Sequence, residues 1–249
     1  MRFCSVGSGS KGNGTLIQQG ETCILVDTGF TLKDFEFRLA QKGLTPLDLN
    51  AILVTHEHSD HIKGVGPLAR KYKIPVYCSY GTSMHVGLGV IPSLVVIDSH
   101  QSFEIGELKI TPVVVPHDSR EPTQFVIHDP DENKLGILTD LGSLTPHICD
   151  IYNNCNGLML ETNHDVQMLR MGPYPAKLKA RVEGSLGHLS NRQASELLDR
   201  VNTDELKYLV ATHISEKNNN IQVALDAIST NYRWGKDFVI LASQETGFE

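Results

Sequence analysis

Three histidines and an aspartate fall within six residues in the segment V-T-H-E-H-S-D-H, residues 54–61. Imidazole nitrogens and carboxylate oxygens are the donor atoms of borderline divalent cations such as zinc and manganese, and the donor set does not choose between the two. The segment follows a short apolar strand, A-I-L-V at 51–54, and precedes a run, Ile62 to Lys73, that can form a helix. A strand end that feeds a helix start is where α/β proteins commonly place ligand sites. In an extended turn the side-chain period is two, so His56 and His58 point to the same side. Asp60 and His61 come as the backbone turns into the helix and point another way. One short loop can thus supply two ligands to each of two adjacent metals. Surface histidines in a polar loop are a poor alternative account of four donors so closely spaced after a buried strand.

The elements around this loop read as strand, strand, strand, helix, strand, helix in the N-terminal third. Residues 14–19 and 22–27 form a hairpin turned at Gly20-Glu21. Thr31 offers an N-cap, with Leu32, Phe35 and Leu39 at helical spacing before Gly43. From about 94 to 139 the chain is rich in strands: L-V-V-I, Q-S-F-E-I, L-K-I-T-P-V-V-V, Q-F-V-I-H and L-G-I-L-T, with turn chemistry at Gly106-Glu107 and in D-P-D-E-N. The C-terminal third returns to helix and strand. Ser190 and Gln193 make a capping box before a helix whose Ala194, Leu197, Leu198 and Val201 share a face. A strand at 206–211, a helix near 220–231 and a strand near 237–241 follow. Runs of strands with helices in both halves suggest two sheets packed face to face, helices outside.

Composition bounds the function. The 249 residues are 40% apolar and 20% charged, ordinary for a globular protein with a sizeable core. No stretch approaches the ~20 apolar residues that cross a bilayer, and the N-terminus lacks the pattern of a secretory signal, so no membrane partner and a cytoplasmic location are expected. The five cysteines, Cys4, Cys23, Cys78, Cys149 and Cys155, contain no C-x-x-C pair, which argues for reduced thiols and against a disulfide framework or zinc knuckle. Net charge is −7, so a strongly basic surface for nucleic acid is absent, although two bound dications would bring the balance to −3.

H-x-H-x-D-H is the hallmark of the metallo-β-lactamase superfamily, and the chain resembles that superfamily along its whole length. The resemblance implies a four-layer αββα sandwich, an α+β fold, as a single domain over residues 1–249. It implies that Asp27, in L-V-D-T-G, orients the loop through hydrogen bonds. His117 in V-V-V-P-H-D-S, Asp140 in I-L-T-D-L-G and His213 in V-A-T-H-I-S look like the remaining ligands. Each is weak alone, because a polar residue at a strand end is usually turn chemistry; their order lifts them. One metal would then take His56, His58, His117 and Asp140, and the other Asp60, His61, Asp140 and His213, with a shared hydroxide as nucleophile between ions ~3.5–4 Å apart.

Asp140 argues against antibiotic β-lactamases with a cysteine at the second site, and His58 against the diiron oxygen-reducing relatives. The 22 residues between His117 and Asp140 leave no room for the long arm of ribonuclease Z. The 72 between Asp140 and His213 are too few for the inserted domain of nucleases of RNase J type. Glu161 in L-M-L-E-T-N-H-D and His188 in G-H-L-S-N-R-Q-A resemble the glutamate and histidine pair of the phosphodiesterase branch, which assists leaving-group protonation. With S-G-S-K-G-N-G, H-D-S-R-E-P-T-Q-F-V-I and T-H-I-S-E-K-N-N-N, the chain is similar to the YycJ/WalJ group, regarded as DNA exonucleases; Gly14 departs from that group's usual small polar residue.

The expected activity is hydrolysis of a phosphodiester in nucleic acid, DNA over RNA, with Asp60, Glu161 and His188 in catalytic roles and a homodimer as the form suggested by relatives. Lys11, Asn13, His164 and Arg192 are candidate substrate contacts, as are Arg120 and Arg181. The glycine-rich loop around Lys11 could bring backbone N–H groups to a phosphate or could be only a turn. His164 could line the site or cap a helix. His85, His100, His128 and His147 carry no motif. The rival readings are a small-molecule hydrolase acting on a thioester or cyclic phosphodiester, and a non-catalytic protein that keeps the fold, against which the intact ligand set argues.

Overall fold

The structure, a computed structural model, describes residues 1–229 and 238–248. The chain forms two compact units. The first comprises Met1–Val114, Ser119–Glu132 and the stretch from Ser243; the second comprises Val115–Asp118 and Asn133–Ala242.

In the first unit β1 (Arg2–Gly7), β2 (Gly14–Gln19) and β3 (Thr22–Val26) run antiparallel, and β3 continues into a parallel array with β4 (Ala51–Val54), β5 (Val76–Cys78) and β6 (Leu94–Val96). The expected hairpin is there, with Gln19 opposite Thr22 and Gly20 at φ +52, a conformation glycine adopts without a Cβ penalty. Every residue of β3 and β4 is buried, as suits apolar runs at the centre of a six-stranded sheet. Helix α1 (Leu32–Gln41) begins where Thr31 Oγ1 accepts the Asp34 N–H, and it buries Phe35 and Leu39 in a core with Leu25, Ile52 and Leu68. The expected helix from Ile62 to Lys73 is two helices. Helix α2 (Ser59–Ile62) starts inside the histidine loop, and α3 (Val65–Tyr72) follows a break at Lys63-Gly64. Gly64 fixes that break: its N–H donates to Thr28 O at 2.8 Å, and a Cβ there would lie 2.4 Å from Phe30 O. Helix α4 (Tyr80–Ser83) follows β5, and β7 (Phe103–Ile105), β8 (Leu108–Val114) and β9 (Thr123–His128) form an antiparallel ladder.

The second unit holds four parallel strands, β10 (Lys134–Leu138), β11 (Gly157–Glu161), β12 (Tyr208–Thr212) and β13 (Val239–Leu241). Helix α5 (Pro146–Ile151) joins β10 to β11. Helices α6 (Val166–Met171), α7 (Ala176–Glu183) and α8 (Asn191–Arg200) join β11 to β12, and α9 (Ile221–Ser229) follows β12. The capping box forms, with Ser190 Oγ accepting the Gln193 N–H. Strand β12 starts at Tyr208 rather than 206, because the N–H groups of Lys207 and Tyr208 both go to Asn156 O. Residues 230–231 of the expected helix and residue 237 of the expected strand lie outside the described residues. Among the described residues no helix is long and apolar enough to cross a membrane. All five cysteines are free thiols, and burial pushes Cys23 up to about 11, Cys78 to about 12 and Cys155 to about 11.

Candidate active site

Strand β4 delivers the histidine loop. Past its last residue, Thr55 and His56 are buried, and His58 follows at the cap of α2, so Asp60 and His61 stand in the first turn of that helix. Asp27 organises the loop. It sits at the end of β3 with φ +60, a left-handed conformation that costs a non-glycine residue roughly 1–3 kcal/mol and persists where surrounding bonds over-determine it. Those bonds are present. Its Oδ1 accepts the Thr55 N–H at 2.8 Å, and its Oδ2 accepts the Thr55 hydroxyl at 2.7 Å and stands 2.8 Å from His61 Nδ1.

These contacts assign the imidazole protons. A carboxylate can only accept, so His61 carries its proton on Nδ1 and presents a lone pair on Nε2. Asn13 Nδ2 lies 3.1 Å from that Nε2 and donates to it. With its own proton on Asp27, Thr55 Oγ1 accepts from His56 Nδ1 at 3.0 Å, which leaves the His56 Nε2 lone pair 3.0 Å from His58 Nδ1. His56 and His58 therefore face each other through nitrogens, while Asp60 Oδ2 lies 3.7 Å from His61 Nε2. The His56 ring also lies against that of His61, with centroids 4.1 Å apart, so the loop's donors form one cluster.

In the second unit three adjacent parallel strands carry polar residues at their C-terminal ends: Asp140 just past β10, Glu161 ending β11 and His213 just past β12. Asp140 and His213 adopt φ +52 and +51, again left-handed. Asp140, Glu161, His188 and His213 offer ligand atoms that all lie within 4.8 Å of one another. His213 Nδ1 is 2.8 Å from Asp140 Oδ1 and 3.2 Å from Glu161 Oε1. His188 Nδ1 is 2.8 Å from Glu161 Oε1 and 3.2 Å from Asp140 Oδ1. Glu161 Oε2 accepts backbone N–H groups from Leu141 and Leu189. Burial opposes ionisation of Glu161, but the His188 charge and bonds from His188 and His213 outweigh it and hold the carboxyl down to about 2. Burial likewise opposes a charge on His188, yet Glu161 and Asp140 raise it to about 9; the same two carboxylates hold His213 well above the ordinary imidazole range. His117 is buried, and its Nδ1 donates to Gly187 O at 2.9 Å, which puts the lone pair on Nε2, 3.6 Å from Asp118 Oδ1.

The candidate substrate contacts fare differently. In the glycine-rich loop the N–H groups of Ser8, Gly9, Lys11 and Gly12 already bond Ser243 O, Asn13 Oδ1, Gln244 Oε1 and Gly9 O, so they do not form a phosphate cradle. Asn13 is buried and committed to Gly9 and His61. His164 is 1% exposed, and neither ring nitrogen has a hydrogen-bond partner among the described residues. Burial lowers its pKa, and the cap of α6 is Asp165 instead. Arg192 is exposed beside Glu196, the Arg120 N–H donates to Glu57, and Arg181 pairs with Asp118. Sequence reasoning missed Thr55, which links Asp27 to two histidines, and Gly187, whose carbonyl orients His117. Thr55 carries a signal, a hydroxyl at the strand end beside the first histidine; Gly187 carries none, because its partner lies 70 residues away.

Comparison with known proteins gives a consistent picture. Residues 22–214 match the family described as the beta-lactamase superfamily domain. A Bacillus anthracis protein named exodeoxyribonuclease YycJ is 37% identical over 237 residues, covering 92% of this chain and 88% of its own. Exodeoxyribonuclease WalJ of Streptococcus pneumoniae serotype 2 is 35% identical over 229 residues, covering 90% and 85%. Among solved structures, the metallo-beta-lactamase fold protein YhfI of Bacillus subtilis superposes with a TM-score of 0.76 at 18% identity, over 99% of this chain and 96% of that one. The short form of human tRNase Z superposes with a TM-score of 0.65 at 18% identity, over 98% and 97%.

Proposed function

Because the chain belongs to the β-lactamase superfamily and has the metallo-β-lactamase fold that its sequence leads one to expect, we propose that it is a metal-dependent phosphodiesterase that shortens DNA from an end. The single observation that carries this reading is the Glu161–His188 pair, a buried carboxylate 2.8 Å from a histidine that stands beside Asp140 and His213. Relatives named exodeoxyribonucleases, similar over most of the chain, favour DNA over RNA. Five free thiols suit a reducing, cytoplasmic setting, and a homodimer is the assembly that the resemblance to relatives suggests.

The donors fit divalent metal ions. Two nitrogens bonded at ~2.0–2.1 Å in a tetrahedral site lie about 3.3 Å apart, close to the 3.0 Å between His56 Nε2 and His58 Nδ1. His61 and His117 are held in the tautomers that put the lone pair on Nε2, and on His61 a metal would take that lone pair from the Asn13 N–H. The proposed ligands are His56, His58, His117 and Asp140 for one ion and Asp60, His61, Asp140 and His213 for a second, with zinc or manganese as the metal. Bound divalent ions supply Lewis acidity, lowering the pKa of water and withdrawing charge from a phosphoryl oxygen.

The chain's own residues do the rest. Leu141 and Leu189 N–H groups fix Glu161 Oε2, and Oε1 accepts the hydrogen bond from His188 Nδ1–H. That leaves His188 Nε2 to deliver its proton to the departing oxygen, a general-acid contribution of ~10²–10⁴ in rate. The net charge of −7 favours the rival, a small-molecule hydrolase acting on a thioester or cyclic phosphodiester. One assay separates them. End-labelled single- and double-stranded DNA and RNA are incubated with protein and Mn²⁺ or Zn²⁺, then with chelator, beside Asp60→Ala. Metal-dependent shortening of DNA from one end, absent in Asp60→Ala, is the expected result. Intact strands with hydrolysis of a thioester or cyclic phosphodiester would hand the site to the rival.

A further inference from the structure

An acidic chain repels a polyanion, so a nucleic-acid strand can be led to the site only where cations face outward. Between Glu161 and His188 the chain makes an excursion through α6 and α7. Residues 166–192 contain Arg170, Lys177, Lys179, Arg181 and Arg192 against one acid, Glu183, in a chain with 22 basic and 29 acidic residues. On α7, Lys177, Ala180 and Arg181 are exposed at helical spacing, so two cations one turn apart flank a small residue. Lys177 has no ion-pair or hydrogen-bond partner among the described residues, and Lys179 Nζ bonds only the Arg170 carbonyl, which leaves its charge uncompensated. Arg170 is paired with Glu183 and Arg192 with Glu196, so those charges are partly spent.

The face is continuous with the candidate site. Arg181 Nη2 lies 3.1 Å from Asp118 Oδ1, and that same oxygen is 3.6 Å from Nε2 of the neighbouring His117. Exposed Met171 before α7 and exposed Leu186 after it add apolar surface against which bases can pack.

We propose that α7 is the track along which a single nucleic-acid strand approaches, its phosphates held by Lys177 on the exposed face and by the half-exposed Lys179 on the flank toward Arg170, and its near end reaching the Arg181–Asp118 rim. The inference rests on the nucleic-acid reading of the site. Such contacts are independent of base sequence and salt-sensitive: each phosphate neutralised on a single strand contributes about 0.7 to the slope of log affinity against log salt. At 0.15 M salt that slope corresponds to about fourfold per lysine, and about 14-fold for two.

The test uses the metal-loaded enzyme and an end-labelled single-stranded oligonucleotide, with kcat/KM measured from 0.05 to 0.3 M KCl. The Lys177→Ala/Lys179→Ala double variant is expected to lose about 14-fold in kcat/KM at 0.15 M, through KM more than kcat, with a salt slope shallower by about 1.4. Lys207→Ala, at the end of β12 opposite His213, serves as the control and keeps the wild-type slope. A double variant indistinguishable from Lys207→Ala, while the wild type cuts the strand, overturns the track alone. A wild type that cuts no nucleic acid overturns the phosphodiesterase reading and the track with it.

Discussion

Replacing Asp27 by Asn changes one atom and should move one proton. The carboxylate takes three bonds: Thr55 N–H on Oδ1, and the Thr55 hydroxyl and His61 Nδ1–H on Oδ2. In the Asp27→Asn variant the amide oxygen keeps the first. The amide nitrogen then stands 2.8 Å from His61 Nδ1 and can only donate, so His61 shifts its proton to Nε2. That nitrogen then meets Asn13 Nδ2, another donor, at 3.1 Å, and has no lone pair for a metal. Restoring the ligating tautomer forces two buried donors together, at a cost of about 1–3 kcal/mol. Metal affinity should fall roughly 10–100-fold, the range typical when a carboxylate behind a ligating histidine is changed. The fold should survive, because asparagine tolerates the left-handed conformation and only charge-assisted bonds weaken, by about 1–2 kcal/mol. Metal competition against a chromophoric chelator measures the affinity, thermal melting the stability, and long-range ¹H–¹⁵N correlation of the His61 ring the tautomer. A variant that competes for metal as well as the wild type, with His61 still protonated on Nδ1, would refute the reasoning.

Other outcomes follow from single contacts. His188→Ala should lower turnover ~10²–10⁴-fold while metal content stays at the wild-type level, and Glu161→Gln should act in the same direction; loss of metal from His188→Ala, read by elemental analysis, would make His188 a ligand instead. Gly29→Ala should destabilise the fold by about 1–3 kcal/mol or more and disturb metal uptake, because its Cβ would lie 1.9 Å from Asp60 O; an unchanged melting temperature would count against the packing described. Burial raises the folded-state pKa of Cys23, Cys78 and Cys155, so their stabilisation is complete below about 9 and is lost as pH rises toward about 11–12. Near pH 10 each thiol should contribute a decline of about 1.4 kcal/mol per pH unit, and urea unfolding of Cys78→Ala should show a shallower decline than the wild type.

Much of this was legible in the residues. The histidine loop announced itself through density of donors, and strands β4 and β8 through apolar period and length. The placement of Glu161 and His188 followed from short motifs beside a strand and a capping box. What stayed hidden depends on partners far apart in the chain. The helix after His61 breaks in two because Gly64 packs on the backbone at Thr28 and Phe30, which no local periodicity records. Asn13, 48 residues from His61, reads as a candidate substrate contact until the fold brings it to the imidazole. Helices α6 and α7 are short and broken by Gly172, Pro173 and Pro175, so neither carries enough turns for a periodic signal. His164 reads in sequence as either a lining residue or a cap and is buried, with its backbone carbonyl taking the Asn191 N–H.

That last bond belongs to a fastening. Asn163 N–H reaches Leu189 O at 3.1 Å and Asn191 N–H reaches His164 O at 2.8 Å, so the chain that leaves Glu161 and the chain that brings His188 back are buttoned together at their base. What lies between Asp165 and Leu186 is a closed loop hung from the button. Its length enters the closure entropy only logarithmically, about 0.6 kcal/mol for each doubling. The segment is therefore a cassette. Descendants of this chain can lengthen, shorten or recharge it and so trade one substrate's approach for another's, while the acid and the carboxylate that holds it stay where they are.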